Sequence, residues 1–140
     1  MTLKDTLVNY FSGNADIVAA VYLYGSHAFG KSRLGSDVDI AILYRIDDPY
    51  LISKSIDDVL VSLPRLLRKD VHPVAMNRAG EELLKQIFKK GECIFVNDQK
   101  KLAHFKMVAY SKIANFSYYR ERMQNGLIRH IIKDRAYGRS

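Results

Sequence analysis

Apolar positions recur along this chain in two periods, and the switches between them mark its elements. Between Thr2 and Phe11, residues Leu3, Leu7, Tyr10 and Phe11 repeat at helical spacing. Thr2 is placed to cap that helix and Asp5 falls in its first turn. The run Ile17–Tyr24 is continuously apolar and reads as a buried strand. A short polar stretch punctuated by glycines follows, in which His27–Lys31 leaves room for one or two helical turns. Apolar sequence resumes at Asp37 and predicts a second strand, Asp37–Tyr44. Asp47-Asp48-Pro49 is a helix-start signal, with carboxylates at the N-terminal end and proline in the first turn. The helix from Pro49 to Val61 is expected to bury Ile52, Ile56, Val59 and Leu60, and Pro64 to interrupt it. Asp70–Met76 reads as a third strand. Pro73 has no N–H to donate, so this strand should be short or lie at an edge. Ala79–Lys90 is an amphipathic helix carrying Leu83, Leu84, Ile87 and Phe88 on one side, with Gly91 behind it as a C′ residue. Glu92–Val96 is a fourth short strand. Asn97-Asp98 can cap a long final helix, Gln99–Asn125, which Gly126 is expected to break before a further helical segment, Leu127–Ala136.

The stretch Val21–Leu43 concentrates the chemistry. Asp37-Val38-Asp39 places two carboxylates at i and i+2 on a strand, hence on one face and about 7 Å apart along the chain. Like charges repel, and burial desolvates them. A divalent cation relieves both costs. Mg²⁺ takes hard oxygen ligands and binds through one or two carboxylates together with substrate phosphates. At the end of the preceding strand, Gly25 allows a phosphate to approach the backbone, and Ser26 adds a hydroxyl and an N–H donor. Lys31 is a further phosphate contact in this reading, against the plainer one of a solvated loop cation.

Gly25–Ser32 also fits the phosphate-loop pattern G-x-x-x-x-G-K-[ST]. That motif needs a helix that opens at its Lys-Ser and packs back along the sheet. Ser32–Ser36 leaves no room for one before Asp37, so the Gly-Ser turn and the two aspartates give the better account.

Charge divides the chain. Residues 1–99 hold 12 Lys/Arg and 13 Asp/Glu, a net of −1, whereas residues 100–140 hold 10 and 2, a net of +8. A near-neutral module, 1–98, thus precedes a basic helical extension, 99–140, within one domain overall. The extension interleaves Phe105, Tyr110, Phe116, Tyr118 and Tyr119 with Arg120 and Arg122. This suits an acidic partner, and single-stranded nucleic acid is one candidate. Packing on the core or docking to a protein is preferred. Cys93 is the lone cysteine, which excludes an internal disulfide and fits a reducing cytoplasm. Its setting, Cys93-Ile94-Phe95-Val96, suggests a buried strand residue. No stretch suggests a membrane span or a signal-peptide core.

Gly25-Ser26, ten intervening residues, then Asp37-Val38-Asp39 resembles the GSx10DxD signature of the minimal nucleotidyltransferases in the polymerase-beta-like superfamily. The resemblance is closest to MntA-type antitoxins of HEPN/MNT toxin–antitoxin modules. It implies an α/β (α+β) nucleotidyltransferase fold: a small mixed sheet flanked by helices, with a long C-terminal helix. It implies ATP as substrate and Mg²⁺, two ions, held by Asp37 and Asp39. Two-metal transfer calls for further ligands and a place for the proton of the attacking hydroxyl. Asp70 stands where the family places its third acid, so the resemblance makes it the remaining ligand and catalytic carboxylate. Many relatives resemble G-S-R-A-R-G at the turn, where this chain has His27 and Phe29, which leaves more of the triphosphate to Ser26 and backbone N–H groups. The implied function is transfer of AMP to a tyrosine of a partner HEPN ribonuclease toxin, which silences it. The rivals are transfer to a small hydroxyl compound such as an aminoglycoside, neutralisation by binding alone, and RNA binding through the basic tail.

Overall fold

Two central strands, β1 (Val18–Tyr24) and β2 (Val38–Tyr44), carry the core. Every residue of β1 is buried, as is every residue of β2 except the half-buried Asp39. Strands covered on both faces read as continuous apolar runs instead of alternating ones, as both do here. The computed structural model describes residues 1–25 and 37–136, without the side chains of Tyr119 and residues 127–136. The expected turns at His27–Lys31 lie outside the described residues.

The sheet runs β3-β2-β1-β4, with β3 at Val71–Ala75 and β4 at Glu92–Val96. β1 is antiparallel to both β2 and β4, while β2 and β3 are parallel. Parallel neighbours require a crossover, here supplied by helix α2 (Pro49–Leu67). Pro73 sits on an edge strand, as its missing donor requires. One sheet face, with Val21, Leu23, Val38, Ile40 and Ile42, packs against Leu7 and Phe11 of α1 (Leu3–Gly13) and against Ile52, Val59 and Leu63 of α2. The other, with Ala20, Tyr22, Ala41 and Leu43, packs against Leu84 and Ile87 of α3 (Glu81–Lys90) and Ala109 of α4 (Gln99–Ala136). The result is a mixed sheet between helical layers, with a long C-terminal helix.

Local signals set the element ends. Thr2 and Asp5 form a reciprocal capping box at α1. Asp48 accepts from the N–H groups of Tyr50 and Leu51 at the start of α2, and Asp98 accepts from Lys101 N–H at the start of α4. Past the end of β3, the Asn77 side chain continues the ladder beside β2: it accepts from Tyr44 N–H at 2.9 Å and donates to Tyr44 C=O at 3.1 Å.

Four expectations are corrected. α2 runs through Pro64 to Leu67 and ends at Arg68, whose φ of 53° is left-handed. An interior proline costs about 3 kcal/mol. The fully buried Leu63 contributes about 2–3 kcal/mol in the opposite sense, with half-buried Leu67 beyond it, so the apolar stripe carries the helix past the break. Leu60 is 46% exposed, because the stripe passes through Val59 and Leu63 instead. Gly126 lies within α4, since one glycine costs about 1 kcal/mol among good helix formers. Cys93 is exposed, as residues of the edge strand β4 can be. Gly91 does follow α3, but at an ordinary φ of −88°. It is required for space, since a Cβ there would collide with the Ile87 carbonyl.

Leu63→Ala should lower unfolding free energy by about 2–5 kcal/mol in denaturant titrations, whereas Leu60→Ala should stay within about 1 kcal/mol. Burial pushes the Tyr44 phenol up to about 12, against a smaller opposing effect of its hydrogen bond to Ser55, and pushes the Tyr22 phenol up as well. The folded chain therefore holds these protons at pH values where the unfolded chain loses them. Stability should fall as pH rises from about 10 towards 12, a slope that Tyr44→Phe should flatten in alkaline melting curves.

Candidate active site

The strand directions bring three chain segments to one end of the sheet. β2 and β3 start side by side because they are parallel, and β1 ends beside the start of β2 because those two are antiparallel. Gly25 thus closes β1 at the place where Asp37 and Asp39 open β2 and where Asp70 and His72 open β3. The register pairs Tyr24 with Asp39, and Asp39 with His72. Val38 N–H donates to the Asp70 carbonyl at 2.8 Å, which sets Asp70 level with Asp37.

By strand alternation Asp37, Asp39, Asp70 and His72 belong to the sheet face that carries Ala41 and Leu43. Farther along, that face is covered by α3 and α4. At this end the cover is incomplete: Asp37, Asp70 and His72 are exposed and Asp39 is half-buried. Carboxylates are far less costly here than under the helices, because water still reaches them.

Gly25 has φ +73°, a left-handed conformation that favours glycine. A Cβ there would stand 2.5 Å from Oδ2 of Asp39, so the missing side chain makes the space this carboxylate occupies. Burial, and secondarily the Asp39 charge, push the Tyr24 phenol above its ordinary value. Asp37 engages the other side. Its Oδ2 lies 2.9 Å from Nε2 of His72. The two aspartates therefore lean to opposite flanks, Asp39 against β1 and Asp37 towards β3.

Among the described residues no three His, Cys, Asp or Glu side chains gather as a ready-made metal cage. The donor set nonetheless suits Mg²⁺, which needs only one or two protein carboxylates when phosphates and water complete its shell. Ser26 and Lys31 lie outside the described residues, as does the rest of the phosphate-loop match after Gly25. β1 and β2 are antiparallel neighbours, which removes the parallel crossover that a phosphate-loop fold requires. Pairing of His72 with Asp37 was not deduced from the sequence, although period-two counting places His72 on the same face as Asp70.

The family profile described as "Polymerase beta, Nucleotidyltransferase" matches residues 5–100. The chain belongs to this nucleotidyltransferase family. The match ends just inside α4. Among solved structures, a chain of a toxin–antitoxin complex with AMP-PNP aligns at TM-score 0.73 and 20% identity, over 91% of this chain and 99% of that one. A mutant MntA–HpeT toxin–antitoxin complex gives 0.73 at 18% identity, over 91% and 99%. The complex of tri-AMPylated Shewanella oneidensis HEPN toxin with MNT antitoxin gives 0.66 at 18%, over 89% and 95%. At these identities the likeness shows the shared nucleotidyltransferase fold. No curated protein sequence matches significantly. Among the described residues no helix is long and apolar enough to cross a membrane.

Gly25→Ala forces both a strained φ and a clash with Asp39, so it should destabilise the fold by about 1–3 kcal/mol in chemical denaturation. Gly13→Ala is the control, because a Cβ there meets nothing within 4 Å. It should shift stability by less than about 1 kcal/mol.

Proposed function

We propose that this nucleotidyltransferase is an antitoxin that moves AMP from ATP to a tyrosine of a partner HEPN ribonuclease toxin and thereby silences it. The observation that carries the proposal is the pair Asp37 and Asp39 on one open sheet face, beside a left-handed Gly25. The relatives support the choice of acceptor. They include a toxin–antitoxin complex with AMP-PNP and a tri-AMPylated HEPN toxin with its MNT antitoxin.

The residues divide the work. Gly25 admits the triphosphate close to the backbone, where Ser26 and Lys31 hold it by hydrogen bond and charge. Asp37 and Asp39 would hold Mg²⁺, and Asp70, level with Asp37 at the start of β3, would complete the ligand set. Bound there, the metal supplies neutralisation of charge on the phosphates and on the departing pyrophosphate. Asp70 accepts the proton of the tyrosine hydroxyl as its oxygen bonds to the α-phosphorus and the bond to pyrophosphate breaks.

The acceptor in this reading is itself a protein and brings its own surface. The described part of α4 divides accordingly. Leu102, Phe105, Ala109 and Ile113 pack on the sheet and α3. Farther along α4, Phe116, Tyr118 and Met123 are exposed, with Arg120 over the Phe116 ring and Arg122 over the Tyr118 ring. Cation-capped aromatics on a basic helix suit docking to an acidic protein partner.

With the co-expressed toxin and ATP labelled in the α-phosphate, label should enter the toxin and map to tyrosine. Asp37→Ala and Asp39→Ala should each reduce incorporation by about 10²-fold or more. Unlabelled toxin with the wild-type chain, or undiminished label with both variants, overturns the proposal. Neutralisation that survives loss of all three aspartates would point to binding alone.

A further inference from the structure

His72 opens edge strand β3 with its side chain outward, and the ring reaches back to Asp37 instead of across to its register partner Asp39. An ionised carboxylate only accepts hydrogen bonds, so the hydrogen of this 2.9 Å contact belongs to Nε2. Oδ2 of Asp37 is thereby engaged, and Oδ1 is the oxygen that His72 leaves for another partner. Asp37 precedes the first paired residue of β2 and its side chain is 50% exposed. Unrestrained, such a side chain would populate several staggered rotamers. The His72 backbone, by contrast, is fixed by the β2–β3 pairing, so its ring offers an anchored donor.

We infer that His72 is a positioning residue for the metal-binding carboxylate: its Nε2–H holds Oδ2 of Asp37 and presents Oδ1 to the cation. This rests on the reading of Asp37 as a metal ligand given above. Partners that hydrogen-bond a ligating carboxylate lower the cost of ordering it, and losing one weakens metal affinity by about 10–100-fold. The contact has little value as an ion pair, since both side chains are half exposed or more. Its removal should therefore leave the fold intact.

The test is calorimetric titration of Mn²⁺ into the full chain saturated with α,β-methylene-ATP, whose α–β linkage is not cleaved. His72→Ala should bind Mn²⁺ about tenfold more weakly at an unchanged melting temperature. His72→Gln keeps an N–H donor at similar reach and should recover to within about threefold of the wild-type chain. Asp37→Asn should bind more weakly than either. Unchanged or tighter binding by His72→Ala, or a glutamine variant as weak as the alanine one, overturns the inference. If Asp37→Asn binds Mn²⁺ like the wild-type chain, the metal-site reading itself fails. If Asp37→Asn is weak while His72→Ala is unchanged, the positioning role fails alone.

Discussion

The hydrogen bond from Val38 N–H to the Asp70 carbonyl starts the parallel pairing of β2 with β3, and the site depends on that pairing. It brings two strand beginnings level. The antiparallel pairing of β1 with β2 then adds a strand end at the same place. A slip of β2 by one residue against β1 would send Asp37 and Asp39 to the face occupied by α1 and α2, among Val21 and Leu23. Ionised carboxylates there would meet a dry core. The apolar residues of β2 thus enforce the placement of the acids that precede and interrupt them.

The same face serves two purposes. Where α3 and α4 lie over it, small and aromatic residues, Ala20, Ala41 and Tyr22, pack with Leu84, Ile87 and Ala109. Toward the start of β2 the helices no longer cover it, and the residue types become acidic. Rigidity comes from one half and solvent access from the other. Tyr24 stands at the boundary, buried against the core yet within reach of the Asp39 charge.

Much of this was legible in the chain. Strict apolar runs gave the central strands within a residue or so, and the i, i+2 aspartates gave a common face. Thr2, Asp48 and Asp98 announced helix starts by local chemistry, which tertiary context rarely overrides. Other features were decided by packing that no local rule contains. Pro64 and Gly126 are breakers by propensity, but a buried Leu63 in one helix and the length of the other overrule them. Cys93 has an apolar neighbourhood in sequence and an edge strand in space. The approach of His72 to Asp37 joins residues 35 positions apart and follows only from the β2–β3 register.

Helix α4 has 38 residues, about 57 Å of axis. Its beginning is clamped: Asp98 caps it, Leu102 to Ile113 lie on the body, and Arg120 reaches Glu82 of α3. From Arg120 the rod continues another 16 residues to Ala136, about 24 Å. A stiff rod held at one end behaves as a ruler. Whatever grips its far portion is set at a fixed span and bearing from the aspartates, so inserting or deleting about seven residues, close to two helical turns, would change reach while nearly preserving azimuth. A single-residue insertion would instead rotate the gripping surface by about 100°.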